Sequence, residues 1–410
     1  MATTSSGPAG SKTQDAWADF VHTGPGTLAG RYMRMFWQPV YRAQDIAPGH
    51  AKPIRIMSEQ LTLYRGEGGA PHVVAFRCAH RGTQLSTGWV EDDNLRCFDH
   101  GWMYAPDGQC VEQPAEPEPF PQKVRIRSYP TEEYLGLIFA YLGEGEPPPM
   151  PRYPDFDVDG VFEVDTYVQP SNYFQTLEND PVHGAFVHRK QHLPKGEYGD
   201  FPEVSAEETE WGMAEHRRWL DGEFRTSQHG MPNVRHNMKR QRTVPPTPEA
   251  GWADSLYWRV PIDDGHVAQF TVDLVHLTGK QADEYWKRRS VWLAKENIVS
   301  PGELAERVLA GELCPDDLYP YGDRTSLVNA QDWISQVGQG AIADRTSERL
   351  GRTDAGLILF RKLWLRELRA LAEGRPLKAW TRSADSVAKT SQYGSSTFEH
   401  GRRAKAGKTT

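Results

Sequence analysis

Two cysteines and two histidines in one short stretch, "CAHRGTQLSTGWVEDDNLRCFDHGW" (78–102), have the types and spacing to hold redox-active iron. Cys78 and His80 form a Cys-x-His pair, and Cys97 and His100 form a Cys-x-x-His pair. Each pair offers one thiolate and one imidazole from a tight loop. A glycine-bearing turn follows each pair, Arg81-Gly82 in one and Gly101-Trp102 in the other. Four thiolates make an ordinary 2Fe–2S centre; replacing two of them with imidazoles on one iron removes negative charge there and raises the reduction potential. Such a centre takes up one electron and hands it on at moderate potential. The same four side chains also fit a tetrahedral structural zinc site. Their order argues against zinc, because zinc sites of this kind more often pair Cys with Cys and His with His.

A second group of potential ligands follows at 171–192, "SNYFQTLENDPVHGAFVHRKQH", which contains Glu178, Asp180, His183, His188 and His192. Two histidines and one carboxylate form the facial triad that holds iron(II) with coordination positions left open. His183 and His188 are one possible pair. His188 and His192, at i and i+4, suit a straight helix better, so spacing alone does not choose between them. Asp180 before Pro181 is equally the ordinary start of a helix, an N-cap followed by proline. A histidine on an amphipathic helix is also more often a satisfied polar residue than a ligand. A one-electron relay upstream changes the balance, since one centre would supply electrons and the other would use them on dioxygen.

The elements that must carry these residues can be read along the chain. Residues 27–37 read as a short helix, opened by the "GPG" at 24–26. From there to about Gly145, "PIRIM", "LTLYRG", "HVVAFRC" and "GLIFAYLG" are short strand candidates between turn signals. The proline-rich run "GEGEPPPMPRYP" at 143–154 is the best domain boundary. After it come a strand near 160–168, the helical 171–192 segment, and strand candidates "EHRRWLDGEFRTS", "SLYWRVPI" and "HVAQFTVDLVHL". Helices are expected at 281–295, 301–312, 330–340 and 354–373. The fold class is therefore α+β: a small all-β domain, then a catalytic domain with an antiparallel sheet and covering helices. The predicted division is a flexible tail over 1–26, the cluster domain over 27–146, a linker over 147–154, the catalytic domain over 155–383 and a polar tail over 384–410.

Composition bounds the partners. A chain of 410 residues exceeds the usual size of one core. The net charge of −8 does not suggest a nucleic-acid partner. No apolar run reaches the length of a membrane span, and the N-terminal "MATTSSGPAGSKTQ" lacks the apolar core of a signal peptide. Four cysteines, two claimed by the cluster, imply no disulfide framework and a reducing, cytoplasmic setting. Cys110 is expected to be a packing residue.

The residues resemble the oxygenase component of Rieske non-haem iron ring-hydroxylating oxygenases, most of all the phthalate dioxygenase-like enzymes. The similarity runs from "GPGTLAGRYMRMFWQPV" through the Cys/His stretch to "GQGAIADRTSERLGRTDAGLILFRKLW" and covers most of residues 20–375. The resemblance implies a 2Fe–2S cluster on Cys78, His80, Cys97 and His100, and mononuclear iron on His183 and His188. It implies that Asp180 bridges an iron histidine and His100 of the partner subunit, so that electrons pass between chains of a homotrimer. The third iron ligand, a late aspartate after Gln or Glu on a helix, maps onto Asp332 in "NAQDWISQVGQG", with Asp323, Asp344 and Asp354 nearby. Two departures stand out. Glu178-Asn179 runs straight into Asp180, where many relatives have two intervening residues, and His192 falls outside the pattern.

The implied function is that of a terminal oxygenase. It would use dioxygen and electrons from a separate flavin or iron–sulfur reductase to hydroxylate or dihydroxylate an aromatic substrate. NAD(P)H would be consumed by the reductase, since no G-x-G-x-x-G follows a strand here. The runner-up keeps both centres and performs monooxygenation, as O- or N-demethylation or single hydroxylation. A pure electron-transfer protein would need no second domain, and the chain beyond the linker is a full domain's worth. Trp219, Phe224, His229, Trp252 and Trp258 could line a pocket for an apolar ring, although core packing is the commoner role for such residues. Arg217, Arg218 and Arg225 could meet a substrate carboxylate, although charged residues on strands are usually solvated.

Overall fold

The computed structural model describes residues 19–179, 202–219, 224–240, 252–294, 298–321 and 326–382. Among these, every strand pairing within the sheets is antiparallel, the arrangement that hairpins and meanders produce.

Three small sheets form the first half. One has the order β1 (Trp37–Arg42), β11 (Leu137–Tyr141), β10 (Thr131–Tyr134). Its centre, β11, is buried at every position, as its unbroken Leu-Ile-Phe-Ala-Tyr run requires. The second has the order β2 (His50–Ile56), β3 (Glu59–Arg65), β4 (Pro71–Ala75), β9 (Ser128–Tyr129). The third, β5 (Trp89–Glu91), β6 (Asn94–Arg96), β7 (Met103–Tyr104) and β8 (Cys110–Glu112), is a meander of very short strands. It carries the Cys/His quartet in and beside its loops.

The second half is built on one seven-stranded sheet. Its order is β12 (Val161–Gln169), β18 (His266–Val275), β17 (Trp252–Asp263), β16 (Val234–Arg240), β15 (Phe224–Gly230), β14 (Gly212–Arg218), β13 (Glu203–Glu208). The helices Tyr173–Asn179, Gly279–Leu293, Pro301–Leu309, Leu327–Val337 and Ala355–Ala372 accompany it. The mixture of sheets and helices is the α+β class expected. The two predicted strands at 255–262 and 266–277 pair with each other as β17 and β18. The stretch 215–227, read as one strand candidate, contributes to two strands of a hairpin, β14 and β15.

One continuous core joins the halves: Ile138, Phe139 and Trp37 share it with Leu256, Trp258 and Val260 of β17 and with Trp364 of the last helix. The β2–β3 hairpin completes the junction. Met57 and Ser58 both adopt positive φ, 49° and 63°, the backbone of a tight hairpin turn. Their N–H groups donate to the carbonyls of Pro261 (2.7 Å) and Ile262 (2.8 Å) at the end of β17.

The packed chain starts earlier than the predicted tail boundary. Phe20 and Val21 are buried, Thr23 N–H donates to Asp264 (3.0 Å), and the following helix spans Leu28–Arg34. That helix forms because the Thr27 side chain caps it by accepting Gly30 N–H. The proline-rich segment is also packed rather than loose. Trp37 Nε1 donates to the Pro148 carbonyl (2.8 Å), and Met150, Tyr153 and Phe156 are buried. The segment 384–410, read as a polar tail, lies outside the described residues. No described helix is long and apolar enough to cross a membrane.

Candidate functional site

The two Cys/His loops are built alike. In the first, Gly82 N–H donates to the Cys78 carbonyl (2.9 Å) and Cys78 N–H to the Thr83 carbonyl (2.8 Å). In the second, Gly101 N–H donates to the Cys97 carbonyl (3.2 Å) and Cys97 N–H to the Trp102 carbonyl (2.8 Å). Both glycines have positive φ, +80° for Gly82 and +74° for Gly101, a conformation that side chains disfavour. Each loop is therefore a closed turn with its cysteine at the base, and the two face each other above a small apolar cluster that includes Leu85, Leu95 and Trp102.

The loops sort the ligands by type. Cys78 and Cys97 are buried, at 3% and 2% exposure, and touch each other. Burial pushes the Cys97 thiol up, the neighbouring Cys78 adds to this, and the N–H groups of Asp99 and His100 pull the other way. The imidazoles of His80 and His100 meet edge to face with ring centroids 4.7 Å apart. His80 stacks on Trp102 at 4.6 Å, Trp102 is in turn braced by Phe120, and His100 Nδ1 lies 3.0 Å from Asp99 Oδ2. Thiol beside thiol and imidazole beside imidazole is the division a two-iron centre needs, with two ligands per iron. A single tetrahedral ion would need all four to converge, and no group of three such side chains does so among the described residues. The donor set thus fits a 2Fe–2S cluster with its sulfur end inside and its imidazole end toward solvent, where the His100 side chain is 39% exposed.

Sequence reasoning missed Tyr104. Its hydroxyl accepts the Ala79 N–H (3.1 Å) and lies 3.1 Å from Cys78 Sγ, which leaves its own hydrogen free to donate to the sulfur. Burial holds the phenol far above its usual pKa, with Cys78 contributing. Cys110 is a buried free cysteine, in keeping with a packing role.

Of the second group, Asp180, His183, His188 and His192 lie outside the described residues. The structure describes the helix that leads into them, Tyr173–Asn179, buried from Tyr173 through Glu178. Tyr173 Oη donates to the Phe20 carbonyl (2.5 Å). Glu178 is gripped by two buried arginines: Arg345 Nε donates to Oε1 (2.7 Å) and Arg361 Nε to Oε2 (2.6 Å). Arg361 also donates to Glu348 through Nη1 (2.6 Å). No local pattern announces this network.

Asp332 lies half-buried on the helix Leu327–Val337, which begins at a Ser326 cap accepting Asn329 N–H. Two of the nearby aspartates lie at turns. Asp344 is exposed and caps a short turn by accepting Thr346 N–H (2.9 Å), and Asp354 accepts Gly351 N–H (2.6 Å). Asp323 lies outside the described residues. The helix that carries Asp332 packs beside Tyr173–Asn179, where Gln175 donates to the Gln336 carbonyl (3.0 Å).

The seven-stranded sheet has two unlike faces. Leu256, Trp258 and Val260 point into the shared core, so Trp258 is core rather than pocket. The alternate residues are polar yet buried. His229 pairs across with Arg235, Arg235 with Tyr257 and Tyr257 with Thr271; in the adjoining rows lie Glu215 opposite Ser227, and Ser255 opposite Asp273. His229, Arg235, Arg259 and Glu215 are all under 9% exposed. The Arg235 and Arg259 guanidiniums lie 5.9 and 5.4 Å from the Tyr257 ring centroid, within cation–π range. Arg217 belongs to this face and donates to Ser227 Oγ (2.6 Å). Arg225 lies opposite Arg217 and over the Trp219 ring (5.3 Å). Arg218 is exposed and lies over Phe224 (5.5 Å), so it does not share the buried face. Arg235 and Arg259 were not singled out from the sequence.

Comparison with known proteins gives a consistent answer. The Rieske 2Fe–2S domain profile matches residues 36–130. The chain is 29% identical over 389 residues to the 5,5'-dehydrodivanillate O-demethylase oxygenase subunit of Sphingobium sp. (strain NBRC 103272 / SYK-6), covering 87% of this chain and 80% of that one. It is 31% identical over 402 residues to the tert-butanol monooxygenase / tert-amyl alcohol desaturase oxygenase subunit of Aquincola tertiaricarbonis, covering 90% and 79%. Its fold matches that of the oxygenase in the reduced oxygenase–ferredoxin complex of carbazole 1,9a-dioxygenase, with a TM-score of 0.57, 18% identity and coverage of 89% and 97%. Likeness over nearly the whole chain, on a fold whose loops present thiols and imidazoles in pairs, places this protein: it belongs to the Rieske non-haem iron oxygenases, as an oxygenase component that uses a 2Fe–2S cluster and mononuclear iron.

Proposed function

We propose that this terminal oxygenase hydroxylates a small aromatic substrate, with electrons from NAD(P)H delivered by a separate flavin or iron–sulfur reductase. In this reading Cys78, His80, Cys97 and His100 hold the cluster, His183, His188 and Asp332 hold the iron, and Asp180 bridges the two centres across a subunit boundary. The chain would act in the cytoplasm as a homotrimer, in which Asp180 meets His100 of the partner subunit. When bound, the cluster supplies single electrons and the mononuclear iron supplies dioxygen activation.

The observation that carries the reading is the sorting of the quartet. Buried cysteines keep the sulfur end of the cluster from water, while the half-exposed His100 offers the other end to a partner. The polar sheet face supports a substrate that bears oxygen or charge. Buried guanidinium groups at Arg235 and Arg259, with Tyr257 between them, suit an aromatic acid or phenol better than a plain hydrocarbon, because a buried cation favours an anionic or π-rich neighbour.

O-demethylation is the second reading. The relative acting on 5,5'-dehydrodivanillate is named an O-demethylase, and an aryl methyl ether would use the same two metal centres and the same polar face.

Mass spectrometry of products formed under labelled dioxygen separates the two. The enzyme is supplied with a surrogate reductase and a panel of aromatic acids, arenes and aryl methyl ethers. Labelled oxygen in a ring hydroxyl or diol supports the first reading. Loss of a methyl group as formaldehyde moves the assignment to the second, and a protein whose cluster cannot be reduced would overturn both.

A further inference from the structure

Four buried glutamines on four elements form one relay that joins the helix leading toward Asp180 to the helix that carries Asp332. Gln169 ends β12, Gln269 lies on β18, Gln175 lies on the helix Tyr173–Asn179, and Gln336 lies on the helix Leu327–Val337. Their exposures are 2%, 2%, 2% and 6%. Tyr167 Oη donates to Gln269 Oε1 (2.8 Å), and Gln269 Nε2 donates to Gln169 Oε1 (2.7 Å). Gln169 Nε2 then donates to Gln336 Oε1 (2.7 Å) and to Ser171 Oγ (3.1 Å). Gln175 Nε2 donates to the carbonyls of Gln336 and Gly340, both at 3.0 Å, and its Oε1 accepts the Ala343 N–H (2.8 Å).

Gln269, Gln169 and Gln175 each accept through Oε1 and donate through Nε2, and the bonds from both sides converge on Gln336, which accepts through its Oε1 and its backbone carbonyl. Leaving one of these buried amides unpaired is unfavourable, so the relay resists sliding of one helix against the next. Gln336 follows Asp332 by four residues, which stacks the two on one face of their helix. Gln175 precedes Asp180 in the segment that carries the iron histidines.

We propose that the Gln269–Gln169–Gln336–Gln175 relay positions the mononuclear iron site, setting the helix that carries Asp332 against the helix that leads into Asp180. This rests on the ligand assignment above, which is tested separately: an Asp332→Ala protein that keeps its iron sinks that assignment, whatever the glutamines do.

The relay is tested on the holoenzyme by the rate at which a ferrous chelator strips the mononuclear iron, with the cluster absorbance followed as an internal control. Gln175→Met, Gln336→Met, Gln169→Met and the double variant Gln169→Met/Gln336→Met are compared with Gln38→Met. Gln38 is a buried glutamine bonded instead to the Met33 carbonyl (3.2 Å) and Asn233 (2.8 Å). Iron should leave on the order of tenfold faster from the relay variants, with the cluster spectrum unchanged. The double variant should be no faster than the faster single one, because one shared bond is lost. If Gln175→Met does not fold, Gln336→Met carries the test, since its backbone carbonyl still receives Gln175. Iron release at the unsubstituted rate, or release equally accelerated by Gln38→Met, overturns the proposal.

Discussion

The hydroxyl of Tyr104 sits 3.1 Å from Sγ of Cys78 while accepting the N–H of Ala79 at 3.1 Å. With its oxygen already accepting, the phenol donates its hydrogen to the sulfur. A hydrogen bond to a cluster sulfur favours the reduced, more negative state. Tyr104→Phe should therefore lower the cluster potential, and the loss of about 1 kcal/mol corresponds to roughly 40 mV for one electron. Spectroelectrochemical titration reads this directly; an unchanged potential would show that the contact does not act on the cluster.

Glu178 is held by Arg345 and Arg361, whose side chains are only 1% and 6% exposed. Removing one partner of a buried pair leaves uncompensated charge and costs about 3–5 kcal/mol. Glu178→Ala should lose about that much stability in urea denaturation, with Arg345 the more affected arginine because Arg361 keeps Glu348. A denaturation midpoint equal to that of the unsubstituted protein would mean that the network is not formed in solution.

The proposed bridge makes a separate prediction. Asp180→Asn should keep both metal centres loaded, because Asp180 binds neither, yet slow oxidation of the reduced cluster in a single turnover. Oxidation at the unsubstituted rate would remove Asp180 from the electron path. His183→Ala should lose mononuclear iron with the cluster spectrum intact, and iron retained at full occupancy would reassign the ligand.

A pH effect arises just past the end of β18, where His276 meets Asp254 of β17. Burial would raise the Asp254 carboxyl, but hydrogen bonds from His236 and His276 outweigh it and hold the group well below the usual carboxylate range. His276 is raised in turn, chiefly by its 2.7 Å hydrogen bond to Asp254. A raised imidazole contributes stability that is fully present below its unfolded value near 6.5 and is lost as pH rises through the folded value. Stability should therefore fall as pH rises above 6.5, and His276→Gln should flatten that slope. An unaltered slope, measured as denaturation midpoint against pH, would assign the titration to another group.

The Rieske domain was legible because its signals are local. The cluster ligands fall within 78–102, in loops closed by their own backbone hydrogen bonds. Spacing and glycine placement therefore carry their geometry. The unbroken apolar run of β11 announces a buried strand in the same way. The polar sheet face was not legible. "FRTSQHG" of β15 and "VRHNMKR" of β16 read like strands with one side in water, and alternation looks the same whether the polar side meets solvent or a buried interior.

From the sequence alone came the α+β class, the pair of metal cofactors and the four side chains whose spacing suits a two-iron cluster. Only the tertiary structure decided the supporting parts. Tyr104 reaches Cys78 across the meander. Glu178 finds arginines 167 and 183 residues away in the chain, and Gln169 meets Gln336 at a separation of 167. Ligand loops are short-range objects, encoded by neighbouring residues and positive-φ glycines. Buried polar partners are chosen by which elements pack together, and no local pattern in the chain records that choice.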